Sequence, residues 1–186
     1  FNEVFLTDVR IPHENIIGHV DAGWGPMMTT LSNERSLIGG SSRGDFAEVV
    51  DLARRCGADQ DPVIRQLLAA SHTRTEILKY LGYRVRTAAA RRQAPGPESS
   101  IMKLLVSQHL SRQGDLFLAM EGAGGMLAGA DALDDGRWQM EFLGQWSAKI
   151  GGGTDEIQRN TIGEKVLALP PEPRVDKNVP FRDIPK

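Results

Sequence analysis

The stretch KIGGGTDEIQRN, residues 149–160, sets three consecutive glycines directly before a threonine and a helix-like pattern. Thr154 followed by Asp155 and Glu156 reads as an N-cap with acids in the first turn, which suits the free N–H groups and the positive end of a helix. Glycines ahead of it let a ligand approach those N–H groups, and such an end favours anions. The same residues serve equally well as a hinge between packed helices, because glycine-rich turns are common helix breaks.

Outward from this bend the apolar spacing is helical almost everywhere. The helix that begins at Thr154 carries Ile157, Ile162, Val166 and Leu169 and stops at Pro170-Pro171, leaving RVDKNVPFRDIPK as an irregular tail. Before it, a shorter helix covers about Arg137 to Lys149. A third-position helix runs from about Glu98 through Ile101, Leu104, Leu105, Leu116 and Leu118, ending at the glycine-rich EGAGGMLAGA, residues 121–130. Asp61-Pro62 is an N-cap and first-turn pair for a helix through Ile64, Leu67, Leu68, Ile77, Leu78 and Leu81 to about Arg92. The first helix starts near Gly25-Pro26 and runs to about Arg55. Only FNEVFLTDVRIP departs, with Phe5, Val9 and Ile11 on alternate positions in the pattern of one short strand. The expectation is an all-α antiparallel helical bundle with one short N-terminal β-strand.

Composition limits the function. The chain has 186 residues, enough for one domain with a full apolar core, and its net charge of −2 is scattered rather than blocked. Nucleic acid and an anionic membrane are not expected partners. No apolar run approaches the roughly 20 residues that a membrane span requires. The single cysteine, Cys56, has no internal disulfide partner, which fits a reducing, cytoplasmic setting. His13, His19, His72 and His109 show no metal-ligand spacing and receive no role. The chain opens without an initiator methionine, in what reads as mid-strand, and is expected to be a piece of something longer.

One residue breaks its own helix pattern. Met27, Leu31, Glu34 and Ile38 are spaced four, three and four apart, which puts Glu34 on the stripe expected to face inward. A carboxylate there is a poised proton acceptor, or it rotates to the edge of the bundle or makes a structural salt bridge. Arg35 is adjacent in sequence, yet consecutive helical residues do not face each other. Trp24, in DAGWGP, is expected to be a packing anchor at the helix entrance. EGAGG, residues 121–125, is open to the same two readings as the first bend, a close backbone approach to a ligand or a tight turn.

Taken together, FNEVFLTDVRIP, the GxxxxGW approach at residues 18–24, GTDEIQRN and LALPPEPR resemble the C-terminal part of an acyl-CoA dehydrogenase, in that family's order and over nearly the whole chain. The resemblance implies that residues 1–21 are the end of the family's middle β domain and a linker, that 22–170 are its C-terminal helical bundle, and that 171–186 are a tail. It implies FAD as cofactor, an acyl-CoA substrate dehydrogenated between its α and β carbons, and an electron-transferring flavoprotein as electron acceptor. In many members the catalytic base immediately precedes the GT of the last helix; here that position is Gly152. A minority pattern puts the glutamate on the first bundle helix before an arginine, and Glu34-Arg35 in LSNERSLIGG matches it. The resemblance thus implies Glu34 as base, Arg35 as a substrate-binding residue, and Glu121, Gly124, Gly125, Thr154 and Glu156 as cofactor-binding residues.

Two positions depart from the family. Its arginine-bearing run before the second helix, which reaches the FAD diphosphate across a subunit interface, is replaced by RRCGADQDP, where Arg54 or Arg55 stands nearest. Its glutamine at the head of the GG loop is replaced by Glu121, whose negative charge would repel a diphosphate. Glycine opposite Glu34 implies room for a branched or bulky acyl group of the sterol side-chain type. The alternative reading is a half-competent or non-catalytic subunit that pairs with a related chain, so both homo- and hetero-oligomers are open. A flavin-dependent oxygenase on the same fold is the more remote third.

Overall fold

The structure, a computed structural model, describes residues 2–40, 45–92, 98–174, 176 and 179–184, with the side chains of 32, 35–40, 98, 99 and 181 outside that description. Among the described residues six α-helices form: α1 (Trp24–Gly40), α2 (Phe46–Arg55), α3 (Pro62–Ala90), α4 (Glu98–Glu121), α5 (Arg137–Ile150) and α6 (Asp155–Thr161). The expected all-α bundle is the fold observed. Helix α4 is its axis and is contacted by each of the other five.

Antiparallel packing follows from the cross-links. Ser71 and Thr75 on α3 meet Gln113 and His109 on α4, in reversed order. Phe117 stacks edge-on against Trp138 with ring centroids 4.9 Å apart, while Ser111 donates to Gln145, each about two turns away in opposite senses. Gly114 makes the α4–α5 crossing possible, since a Cβ there would lie 3.0 Å from the Cα of Phe142. The core gathers Val49, Leu52 and Ala53 of α2, Ile64 of α3, Leu116, Phe117 and Met120 of α4, and Trp138 of α5. Each large aliphatic side chain buried here contributes about 1.5–3 kcal/mol.

Helix starts are built as the sequence implies. Asp45 caps α2 by accepting from Ala47 N at 3.1 Å, and Asp61 caps α3 by accepting from Val63 N at 2.7 Å, with Pro62 in the first turn. The Asp45 cap corrects one expectation: α1 and α2 are separate helices, with residues 41–44 outside the description, rather than one helix to Arg55.

Three further expectations are corrected. No strand forms among the described residues: Phe5, Val9 and Ile11 are exposed, and Asp8 adopts a left-handed φ of 52° in mid-segment. A strand exists only with a ladder partner, and the extended segment has none here. Trp24 is 73% exposed rather than a packing anchor. The last helix does not run to Leu169. It widens at Ile162–Val166 into a π-helical turn, in which Leu167 N donates to the Ile162 carbonyl, and then unwinds.

Candidate functional site

The predicted site residues fall into two groups, one at the bend between α5 and α6 and one at the end of α4. At the bend, Gly152 and Gly153 take positive φ values of 66° and 90°, conformations that glycine alone enters readily. Thr154 then caps α6, its Oγ1 accepting from Ile157 N at 3.3 Å. Gln158, fully buried one turn later, donates from Nε2 to the Gly152 carbonyl at 2.8 Å. That contact explains the second glycine, because a Cβ on residue 153 would sit 2.7 Å from Gln158 Nε2.

The base of α6 is anchored from inside. Asp155, 7% exposed, accepts from Ser107 Oγ and from Lys103 Nζ at 3.4 Å, and the Lys103 side chain is wholly buried. This buried ion pair ties the start of α6 to α4. Glu156 points the other way, exposed, and pairs with Arg159 at 3.2 Å. Its own backbone N–H and the Thr154 hydroxyl hold its carboxyl below the usual range.

Across from this bend lies Glu34. Its Oε1 accepts from Gly152 N at 3.3 Å, joining two residues 118 apart in sequence. The burial expected of the Met27–Leu31–Glu34 stripe is corrected: Met27 is 43% exposed, Leu31 half-buried and Glu34 exposed. α1 packs chiefly on α4, and the described side chains of its stripe stay partly or largely exposed. Arg35, expected to bind substrate, has a side chain outside the described residues, as does Ile38.

The second group is more altered. EGAGG forms a 3-10 turn, Gly122–Met126, directly after α4, and Gly125 packs close to Leu118. Glu121 turns its carboxyl to Gln139 of α5, whose Nε2 donates to Glu121 Oε2 at 2.6 Å and to the Gly124 carbonyl at 3.3 Å. Glu121 Oε1 is buried without a hydrogen-bond partner. Burial pushes this carboxyl above the ordinary glutamate value, partly offset by the Gln139 bond, with Asp134 adding to the rise.

Arg55, the nearest stand-in for the family's diphosphate arginine, is already engaged. Its guanidinium pairs with both oxygens of Asp134 at 2.9 and 2.7 Å and with Asp51 at 2.9 Å. Asp134, in the left-handed Asp134-Asp135 pair of the loop before α5, also accepts from Trp138 Nε1 at 2.7 Å. The Arg55 and Trp138 bonds lower the Asp134 carboxyl to about 2. Arg54 is exposed.

These details decide how an FAD would fit. The bend offers a backbone N–H, two bare glycines and a carboxylate, which suits a flat ring and a reacting carbon beside it. The turn at Glu121 does not fit a diphosphate: Arg55 is neutralised by Asp51 and Asp134, and the Glu121 carboxyl and the Gln139 amide are turned to each other.

Sequence reasoning missed Lys103, Gln139, Asp134 and Gln158. They are polar residues on helices or in a loop, and nothing in their spacing distinguishes a buried anchor from a solvated face. Among the described residues no group of His, Cys, Asp and Glu is placed to hold a metal, and no helix is long and apolar enough to cross a membrane. Cys56 is a free, half-buried thiol pushed up by burial and by Glu121. His109 is buried and neutral, lowered to about 4 by burial and by Arg74 and Arg112.

A helical bundle gathered around α4, with α1 meeting the glycine bend before α6, is the fold of a known family, and the chain belongs to it. The family model for the acyl-CoA dehydrogenase C-terminal domain matches residues 21–167. The acyl-CoA dehydrogenase IpdE1 of Mycolicibacterium smegmatis is 34% identical over 176 residues, which cover 92% of this chain and 43% of that protein. The chain therefore spans less than half the length of this relative. Two solved structures share the fold. The Tcur3481–Tcur3483 steroid ACAD superposes with a TM-score of 0.77 at 23% identity, over 90% of this chain and 45% of that one. The ChsE4–ChsE5 complex from Mycobacterium tuberculosis gives 0.69 at 24% identity, over 91% and 46%.

Proposed function

We propose that this chain supplies the proton-abstracting side of an FAD-dependent acyl-CoA dehydrogenase, with Glu34 as base and a bulky acyl-CoA of the steroid side-chain type as substrate. The contact between Glu34 Oε1 and Gly152 N carries this reading. It supports the reading because it brings the carboxylate of α1 to the residue that carries the base in many family members, while glycine at that residue leaves space for a wide acyl group. Glu34 takes the α proton of the thioester; bound FAD supplies the acceptor for the hydride that leaves the β carbon. Gln158 holds the Gly152 carbonyl and the Lys103–Asp155 pair holds α6, so the bend stays in place under the substrate. Thr154 and Glu156 border the cofactor from the start of α6, Arg35 contacts the substrate, and residues 1–21 lead in from the middle β domain. The partner suited to take up the electrons would be an electron-transferring flavoprotein in the cytoplasm. In the intact protein, Glu34→Gln is expected to leave flavin bound and to slow its reduction by a steroid side-chain acyl-CoA at least about a hundredfold, the lower range for a lost general base. Reduction at the unaltered rate removes Glu34 from the role.

A second reading is favoured by Arg55, whose guanidinium is held by Asp51 and Asp134. A chain with a good base corner and a poor diphosphate surface works best beside a related chain whose own diphosphate surface is good, which makes the assembly a hetero-oligomer. The two-chain composition of the Tcur3481–Tcur3483 and ChsE4–ChsE5 structures supports it by likeness. The flavin-to-subunit ratio decides: one FAD per pair of unlike chains on co-expression is expected, and one FAD per subunit in the protein expressed alone rules the mixed assembly out.

A further inference from the structure

Glu121 ends α4 and Gln139 lies in the first turn of α5, so their side chains meet where the two helices diverge around the 122–136 loop. Gln139 Nε2 faces both Glu121 Oε2 and the Gly124 carbonyl. A backbone carbonyl only accepts, so the amide atom facing it is nitrogen and the orientation of the Gln139 amide is set by the backbone. That leaves Glu121 Oε1 and Gln139 Oε1, two buried acceptors, both without a partner. Unsatisfied buried acceptors in adjacent side chains are unfavourable, and an ionised carboxylate beside an amide oxygen has no donor to offer it.

We infer that one proton satisfies both: Glu121 is a neutral carboxylic acid whose Oε1–H donates to Gln139 Oε1 while Gln139 Nε2–H donates to Glu121 Oε2. The proton comes from solvent and is held by a closed acid–amide ring; no other bond changes. The surroundings agree. Asp134 on the loop before α5 opposes a second negative charge, and so does burial. Arg55 at the end of α2 favours ionisation, but its guanidinium is shared between Asp51 and Asp134. The Cys56 thiol just beyond α2 is the remaining titratable neighbour and is itself uncharged, being pushed upward. Glu121 therefore substitutes for the family's glutamine as a neutral group of nearly the same shape, and the turn becomes acidic only when the proton leaves.

The folded carboxyl is raised above its unfolded value near 4.5. Its stabilising contribution is fully present below that value and lost as pH rises through the folded one. Glu121→Gln closes the same ring with an amide N–H and needs no proton. Melting temperatures of the intact protein and of this variant should coincide near pH 4.5 and separate as pH rises, the variant becoming the more stable. A difference that does not change with pH overturns the inference. Independently of the variant's folding, the Glu121 side-chain carboxyl carbon, assigned through its own through-bond correlations, should titrate above the other glutamates; titration among them overturns it equally.

Discussion

Replacing Asp155 with alanine strands the Lys103 ammonium, which is wholly buried and draws its nearest counter-charge from Asp155 Oδ1 at 3.4 Å. At that separation the gross attraction is about 5 kcal/mol for an effective dielectric near 20. Removing one member of such a pair costs about 3–5 kcal/mol, because the other stays buried without compensation. Lys103→Met is a different perturbation. It leaves an apolar chain of similar length in an interior site, while Asp155 keeps the Ser107 hydroxyl. That variant should lose only about 1–2 kcal/mol, in the range of one hydrogen bond to a charged group. The double variant has neither charge and should lose about 2 kcal/mol, well below the sum of the singles, giving a coupling of about 3 kcal/mol in a double-mutant cycle. Urea unfolding at neutral pH measures all four proteins. Losses that add, or a Lys103→Met protein less stable than Asp155→Ala, would refute the assignment of this pair as the anchor of α6.

Other outcomes follow from the same geometry. Gly153→Ala forces a φ of 90° on a side chain and drives its Cβ into Gln158, so it should lower stability by about 2–3 kcal/mol, whereas Gly23→Ala, with open space around it, should change it by under about 0.5. His109 has a folded value of about 4 against 6.5 unfolded, so its contribution is present above 6.5 and lost as pH falls towards 4, by about 3 kcal/mol; unfolding curves across that window should be flatter for His109→Gln. Asp134, lowered to about 2 from 3.8, contributes above pH 3.8 and loses that as pH falls, an effect of about 1 kcal/mol after allowance for its exposure. Asp134→Asn keeps the left-handed turn, removes this acid limb and releases Arg55 from one of its two carboxylates, Asp51 remaining, so titration with ADP should show modestly tighter binding than in the unaltered protein.

The helical frame was legible because its punctuation is chemical. Asp61-Pro62, Thr154 after three glycines and the EGAGG break mark ends by capping and backbone freedom, and the helices start and stop within a residue or two of those marks. What failed needed a partner to be decided. Phe5, Val9 and Ile11 alternate as a strand does, but alternation makes a strand only beside another one. The Met27–Ile38 stripe assumed that a helical apolar face is covered, while α1 packs chiefly on α4 and the described side chains of the stripe stay partly or largely exposed. Glu34 stood out in the sequence by its position among apolar neighbours, although the side chain is exposed. Its contact with Gly152 did not, since a hydrogen bond across 118 residues leaves no periodicity. Arg55 looked available for a diphosphate because its restraint, Asp134, lies in a loop whose left-handed turn no local pattern announced.

The Gly152 amide has a property that its neighbours lack. Its hydrogen is shielded by a side chain from a distant helix, not by the backbone ladder of α5 or α6. Whatever takes the Glu34 carboxylate elsewhere, a substrate or a substitution, exposes that single hydrogen to exchange with solvent deuterium while the surrounding helices keep theirs. Residue 152 is thus a native isotopic gauge of where Glu34 is engaged, readable without adding a probe to the molecule.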